Sequence, residues 1–174
     1  MEHRDLCMIG HKQDFTPEIG RLVSMMDYAR HTTEEAIRGL TIDQLDFHLD
    51  EKSNSIGMLL QHMASIEKAF QVMTFQEREL NDEEWAEHGT GIELGERARE
   101  VVRGRDLDYY WSELSLARAE TLDAFRKTED TWLEKVTPFG WDKRANHYFK
   151  WFHVMEDEIS HRGQILLIKR RLTI

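Results

Sequence analysis

His153-Val154-Met155-Glu156-Asp157-Glu158-Ile159-Ser160-His161-Arg162-Gly163-Gln164-Ile165 is the stretch that decides the fold. Residues four apart on an α-helix project from the same side, so His153, Asp157 and His161 form one row of imidazole, carboxylate and imidazole. The apolar spacing predicts that this helix runs from about Arg144 to Arg171. At 100° per residue, Phe149, Phe152, Met155, Ile159, Gly163, Leu166 and Leu167 share one face, while Val154, Ile165, Ile168 and Leu172 take the opposite one. A surface helix normally carries a single apolar stripe. Two stripes imply two partners: the interior of a bundle, and a second subunit or a covering segment. A homodimer is therefore expected, although the wheel does not assign the faces. Asp157 and His161 lie beside the second stripe, which places them near buried surface.

The rest of the chain supplies three more helices of comparable length. Thr16-Pro17-Glu18 is an N-cap followed by proline at the first helical position, and the helix it opens should end near Gly39-Leu40. Its inward stripe is Ile19, Leu22, Val23, Met26, Ala29, Thr33, Ala36, Ile37 and Leu40. Ser53-Asn54-Ser55 opens a second helix, expected to reach about Gln76 with Leu59, Met63, Ile66, Phe70 and Met73 inward. Residues 77–104 are rich in charge and glycine and read as a long connection, with a short helix around Glu93 to Val102. A third helix spans roughly Asp106 to Glu129, and Thr137-Pro138-Phe139-Gly140-Trp141 makes a turn before the fourth. The reading is all-α: a single domain over residues 1–174, a four-helix bundle with a long connection between helices two and three.

Composition narrows the function. A formal charge of −10, from 23 Lys and Arg against 33 Asp and Glu, would repel a phosphate backbone, so nucleic acid is not an expected partner. No stretch has the length and apolarity of a membrane span or a signal peptide, and no membrane association is expected. Cys7 is the only cysteine, which excludes an internal disulfide and fits a reducing cytoplasm. Glycine-rich phosphate loops, Gly-x-Ser-x-Gly and His-Glu-x-x-His are all missing.

What remains is the histidine row and one distant histidine. His62 lies on the apolar face of helix two, more than ninety residues before His161. Packing of helices two and four side by side would bring His62, Asp157 and His161 to one divalent transition metal, leaving coordination positions for water or substrate. Each feature has a plainer reading as well. A lone histidine on an apolar face is more often a hydrogen-bonded core residue, and Asp157 with His161 is also the spacing of an intrahelical ion pair. His153 stands roughly 12 Å along the helix from His161, too far for both to grip one ion, so it is assigned as an alternative ligand or as a hydrogen-bond partner of a ligand. Glu156 and Glu158 read as solvated or structural.

Ser55-Ile56-Gly57 leading to His62, the Pro-Phe-Gly turn at 138–140, His153-Val154 and His161-Arg162-Gly163-Gln164-Ile165 together resemble the DinB-like superfamily. The resemblance covers nearly the whole chain, and His-Arg-Gly-Gln is its most specific part. It implies a four-helix bundle with one divalent metal per chain held by three histidines, at the positions of His62, 157 and 161. Here position 157 is Asp. A two-histidine, one-carboxylate set would move preference from zinc or nickel toward iron or manganese, or would mark a weakened site. The resemblance also implies a metal-dependent transferase using a small thiol of the mycothiol, bacillithiol or glutathione kind, in detoxification or stress response. Arg162 or Lys169 would then be available to a cosubstrate carboxylate. Two other functions stay open: a dimeric stress-associated binding protein without catalysis, and a metal-dependent hydrolase.

Overall fold

A computed structural model describes residues 6–140 and 142–172. Helix α1 spans Pro17–Ile37, and a single turn, α2 (Ile42–Leu45), leads to α3 (Ile56–Gln71), which continues through a π-helical turn at Val72–Gln76. Helices α4 (Asp82–Glu93) and α5 (Gly95–Val101) cross to α6 (Leu107–Phe125). A turn of helix, α7 (Asp130–Leu133), precedes the antiparallel strands β1 (Val136–Pro138) and β2 (Arg144–Asn146), and α8 (His147–Lys169) closes the fold. The four long helices α1, α3, α6 and α8 form the bundle; α3 packs on α6 and α8, and α1 packs on α8.

The helix boundaries have local causes. Ser55, Asp106 and Asn146 each accept a backbone N–H three residues on, capping α3, α6 and α8. Helix α8 opens at His147, three residues later than the expected Arg144, because Arg144–Asn146 pairs with β1. Thr16 occupies the N-cap position of α1, but its hydroxyl donates to Asp130 Oδ1. The same oxygen accepts from the Glu18 and Ile19 amides, both at 3.1 Å, so α7 caps α1 across the chain. The expected loop at 77–104 is instead mostly helical. Asn81 and Glu84 form a reciprocal capping box that starts α4, and α4 packs against α3. Trp141, assigned to the turn before α8, lies outside the described residues.

The inward stripe expected of α1 is buried throughout. Helix α8 buries Trp151, Val154, Ile165 and Ile168, whereas Phe149, Phe152, Ile159, Leu166 and Leu167 stay exposed. Met155 shares the Phe149 and Leu167 face on the helical wheel, yet it is buried in a cluster with Val23 and Met26 of α1. At the centre, each long helix contributes one charged side chain: Arg30, Glu67, Arg118 and Glu158, all buried. Arg30 Nε donates to Glu158 Oε1 at 2.9 Å, Arg118 Nε to Glu67 Oε1 at 2.7 Å, and both Arg30 and Arg118 reach the second carboxylate as well. The remaining guanidinium donors meet the Leu114 and Met26 carbonyls, and Thr121 donates to Glu67. Two positive and two negative charges thus cancel with their hydrogen bonds made, the condition under which buried ions are tolerable. Burial opposes the charged form of Glu67, but Arg118 and Arg30 outweigh it and hold its carboxyl below the usual range.

Candidate metal centre

The packing of α3 on α8 brings His62, Asp157 and His161 together, with donor atoms all within 4.8 Å of one another. His62 is buried, and Asp157 and His161 are half-buried. Asp157 Oδ1 sits 3.6 Å from His62 Nε2 and 3.3 Å from His161 Nε2. The two imidazoles meet edge to face, with ring centroids 4.7 Å apart.

The orientation of His62 is fixed from behind. Its Nδ1 lies 2.8 Å from the Gly91 carbonyl oxygen of α4, and a carbonyl oxygen can only accept, so Nδ1 carries the proton. In neutral His62 the Nε2 atom is then a bare lone pair facing a carboxylate oxygen, an unfavourable meeting of two acceptors. A cation between them resolves the conflict: either a second proton on His62 or a metal ion. Asp157 Oδ2 and His161 Nδ1 are also buried without a hydrogen-bond partner, so polar atoms of the same two side chains are left unsatisfied. The residues therefore fit a divalent transition metal in number, type and orientation.

The electrostatics agree. Burial disfavours the charged form of Asp157, but hydrogen bonds and charges from His161 and His62 prevail and hold its carboxyl far below the ordinary range. Burial likewise opposes imidazolium at His62, yet Asp157 and the Gly91 and Ile92 carbonyls raise its pKa overall. Asp157 is thus an ionised ligand candidate at any moderate pH.

His153 stands apart from the three. Its Nδ1 lies 3.1 Å from Glu156 Oε2, and its ring is surrounded by Phe70, Phe139 and Phe149. Among the described residues it joins no ligand cluster. Glu158 belongs to the central ion network, while Glu156 is exposed. Arg162 donates to Thr32 and Lys169 to the Ala36 carbonyl, so both are committed to α1 rather than to a cosubstrate.

Sequence reasoning missed Gly91. A Cβ there would lie 2.2 Å from Ser65 Oγ, 2.9 Å from Ser65 Cβ and 3.3 Å from the Gln61 carbonyl oxygen. Only glycine lets α4 come close enough to α3 to aim its carbonyl at His62. The glycines at 89, 91 and 95 read as loop markers, and the one signal against that reading was the Asn81-x-x-Glu84 capping box.

A bundle with one histidine on its second long helix, and a carboxylate and histidine one turn apart on its fourth, defines a protein of the DinB-like class. Residues 21–173 match the family model described as mycothiol-S-transferase, and the chain belongs to that family. It is also similar to the crystal structure of a conserved protein from Enterococcus faecalis, with a TM-score of 0.66 and 16% identity, covering 86% of this chain and 93% of that one. At that identity the likeness bears on the fold alone. No curated protein sequence matches the chain.

Proposed function

We propose that His62, Asp157 and His161 hold one divalent transition metal, and that the protein is a metal-dependent S-transferase joining a low-molecular-weight thiol to an electrophile. The observation that carries this reading is the donor cluster itself, three ligand atoms within 4.8 Å on two packed helices. Membership of a thiol S-transferase family supports the reaction class. Zinc or nickel is the first candidate, and the carboxylate also admits iron or manganese. When bound, such an ion supplies the Lewis acidity that keeps a thiol as thiolate near neutral pH.

The chain's own residues prepare that chemistry. His62 keeps its Nε2 lone pair inward by donating Nδ1–H to Gly91. Asp157 brings a negative charge, and the Arg30–Glu67–Arg118–Glu158 network sets α3 against α8 so that the ligands stay in register. The transfer forms a carbon–sulfur bond, breaks the bond to the leaving group and sends the thiol proton to solvent or leaving group, with no change of oxidation state. The setting is detoxification in a reducing cytoplasm.

The test is thiol consumption by protein reconstituted with each metal, using mycothiol, bacillithiol and glutathione in turn against a generic electrophile such as monochlorobimane. Turnover with one thiol, lost in His62→Ala, is the expected result. Stoichiometric metal without turnover by any of the three thiols would contradict the S-transferase reading. A second reading, a non-catalytic binding protein, rests on the contact of Asp157 Oδ1 with both imidazoles, which hydrogen bonds donated by the two rings would satisfy without a metal.

A further inference from the structure

Helix α8 carries a second apolar face that stays largely exposed among the described residues, with the Phe139 ring meeting Phe149 at one end. Phe149, Phe152, Ile159, Leu166 and Leu167 are 40–51% exposed, although each is a large apolar side chain on the longest helix of the fold. The stripe extends about 27 Å along the helix, and Gly163 lies within it. A Cβ at Gly163 would meet nothing within 4 Å, so the glycine leaves a flat place on the helix surface. That is where a second backbone could approach.

The charges on the stripe identify the partner. Glu156 and Arg170 are both exposed and lie on the same face, seven residues before and seven residues after Gly163. A two-fold axis at Gly163 relates each residue to one equally far beyond it on an antiparallel copy. Glu156 of one copy then faces Arg170 of the other, twice, and Ile159 faces Leu167. The opposite charges lie about 10 Å along the helix from the crossing point, within reach of long side chains. A parallel arrangement would put Glu156 against Glu156 and Arg170 against Arg170. Because the chain is strongly acidic overall, an interface between two copies needs local pairing of this kind.

We infer that the outer face of α8 is a homodimer interface, with two α8 helices crossing antiparallel at Gly163 and paired through Glu156 and Arg170. Its partner is a second copy of this chain. The inference is independent of the metal reading, because the ligand row lies on the side of α8 that faces α3.

The test is sedimentation equilibrium of the full chain over micromolar concentrations, with helicity checked by circular dichroism. The wild type is expected at twice the 20.7 kDa chain mass. Ile159→Asp with Leu166→Asp should give a helical monomer, since both side chains point to solvent in the single chain. Glu156→Arg and Arg170→Glu alone should each weaken the dimer by roughly five- to thirty-fold, because the axis repeats every pair, and the double exchange should restore it. A wild-type monomer throughout this range overturns the inference, as does a dimer indifferent to the paired aspartates. Failure of the double exchange to restore affinity overturns the antiparallel register.

Discussion

Gly91→Ala offers a sharp perturbation because it touches no ligand and yet should disturb one. Ser65 Oγ, 2.2 Å from the new methyl, can rotate away, but Ser65 Cβ at 2.9 Å cannot. That Cβ contact is about 0.5 Å short of ordinary van der Waals separation, so α4 must move outward by about that amount. The His62 Nδ1 to Gly91 carbonyl distance, now 2.8 Å, would then pass the range of a good hydrogen bond. Overpacking of this size costs about 1–3 kcal/mol of stability. Loss of the hydrogen bond that orients a histidine ligand weakens metal binding by about 10- to 100-fold. Both can be read on one protein, by urea unfolding and by competition for metal against a chelator. The compensating change is graded: Ser65→Ala removes only the rotatable oxygen and should recover little, whereas Ser65→Gly removes the obstructing carbon and should recover most of the metal affinity. Unchanged metal affinity in Gly91→Ala, or no recovery with Ser65→Gly, would refute the positioning argument.

Other outcomes follow from the packing and the charges. Glu67→Gln leaves Arg118 and Arg30 buried with one compensating charge fewer, and should cost about 3–5 kcal/mol in urea unfolding. Asp130→Asn weakens the cap on α1 and should cost about 1 kcal/mol at neutral pH. Burial opposes ionisation of Asp130, but Thr16 and the Ile19 and Glu18 amides outweigh it and depress its pKa in the folded state. A depressed folded value means the contribution is full above the unfolded pKa, about 3.9, and fades as pH falls through the folded value. The stability gap between wild type and Asp130→Asn should therefore close in strongly acidic solution; a constant gap from pH 7 down to acid unfolding would contradict this. His153→Ala should leave metal content unchanged, since its ring nitrogen meets Glu156 rather than the ligand set.

The four long helices were legible because caps and apolar spacing act locally. Thr16-Pro17, Ser55 and Asp106 announce helix starts, and the inward stripe of α1 could be read directly from its sequence. The four-residue spacing of Asp157 and His161 placed two donors on one side of α8 for the same reason. What stayed illegible depends on partners far away in sequence. Arg30, Glu67, Arg118 and Glu158 look like ordinary charged residues until α1, α3, α6 and α8 close around them. Segment 82–93 carries so much charge, and two glycines, that it reads as loop; its contact with α3 makes it helix. The hairpin is too short for alternation to register, and it moved the start of α8. Two apolar faces on α8 were visible, but only the position of α1 shows why Met155 belongs inside and Ile159 outside.

The central claim is that His62, Asp157 and His161 form a metal site, and elemental analysis of the native protein beside His62→Ala and His161→Ala tests it most directly. The account predicts one transition metal per chain in the native protein, lost in both variants while helicity persists, because the bundle core does not depend on either side chain. A native protein that takes up no metal even after reconstitution would contradict it, and would leave Asp157 as the centre of a triad joined to His62 and His161 by hydrogen bonds alone.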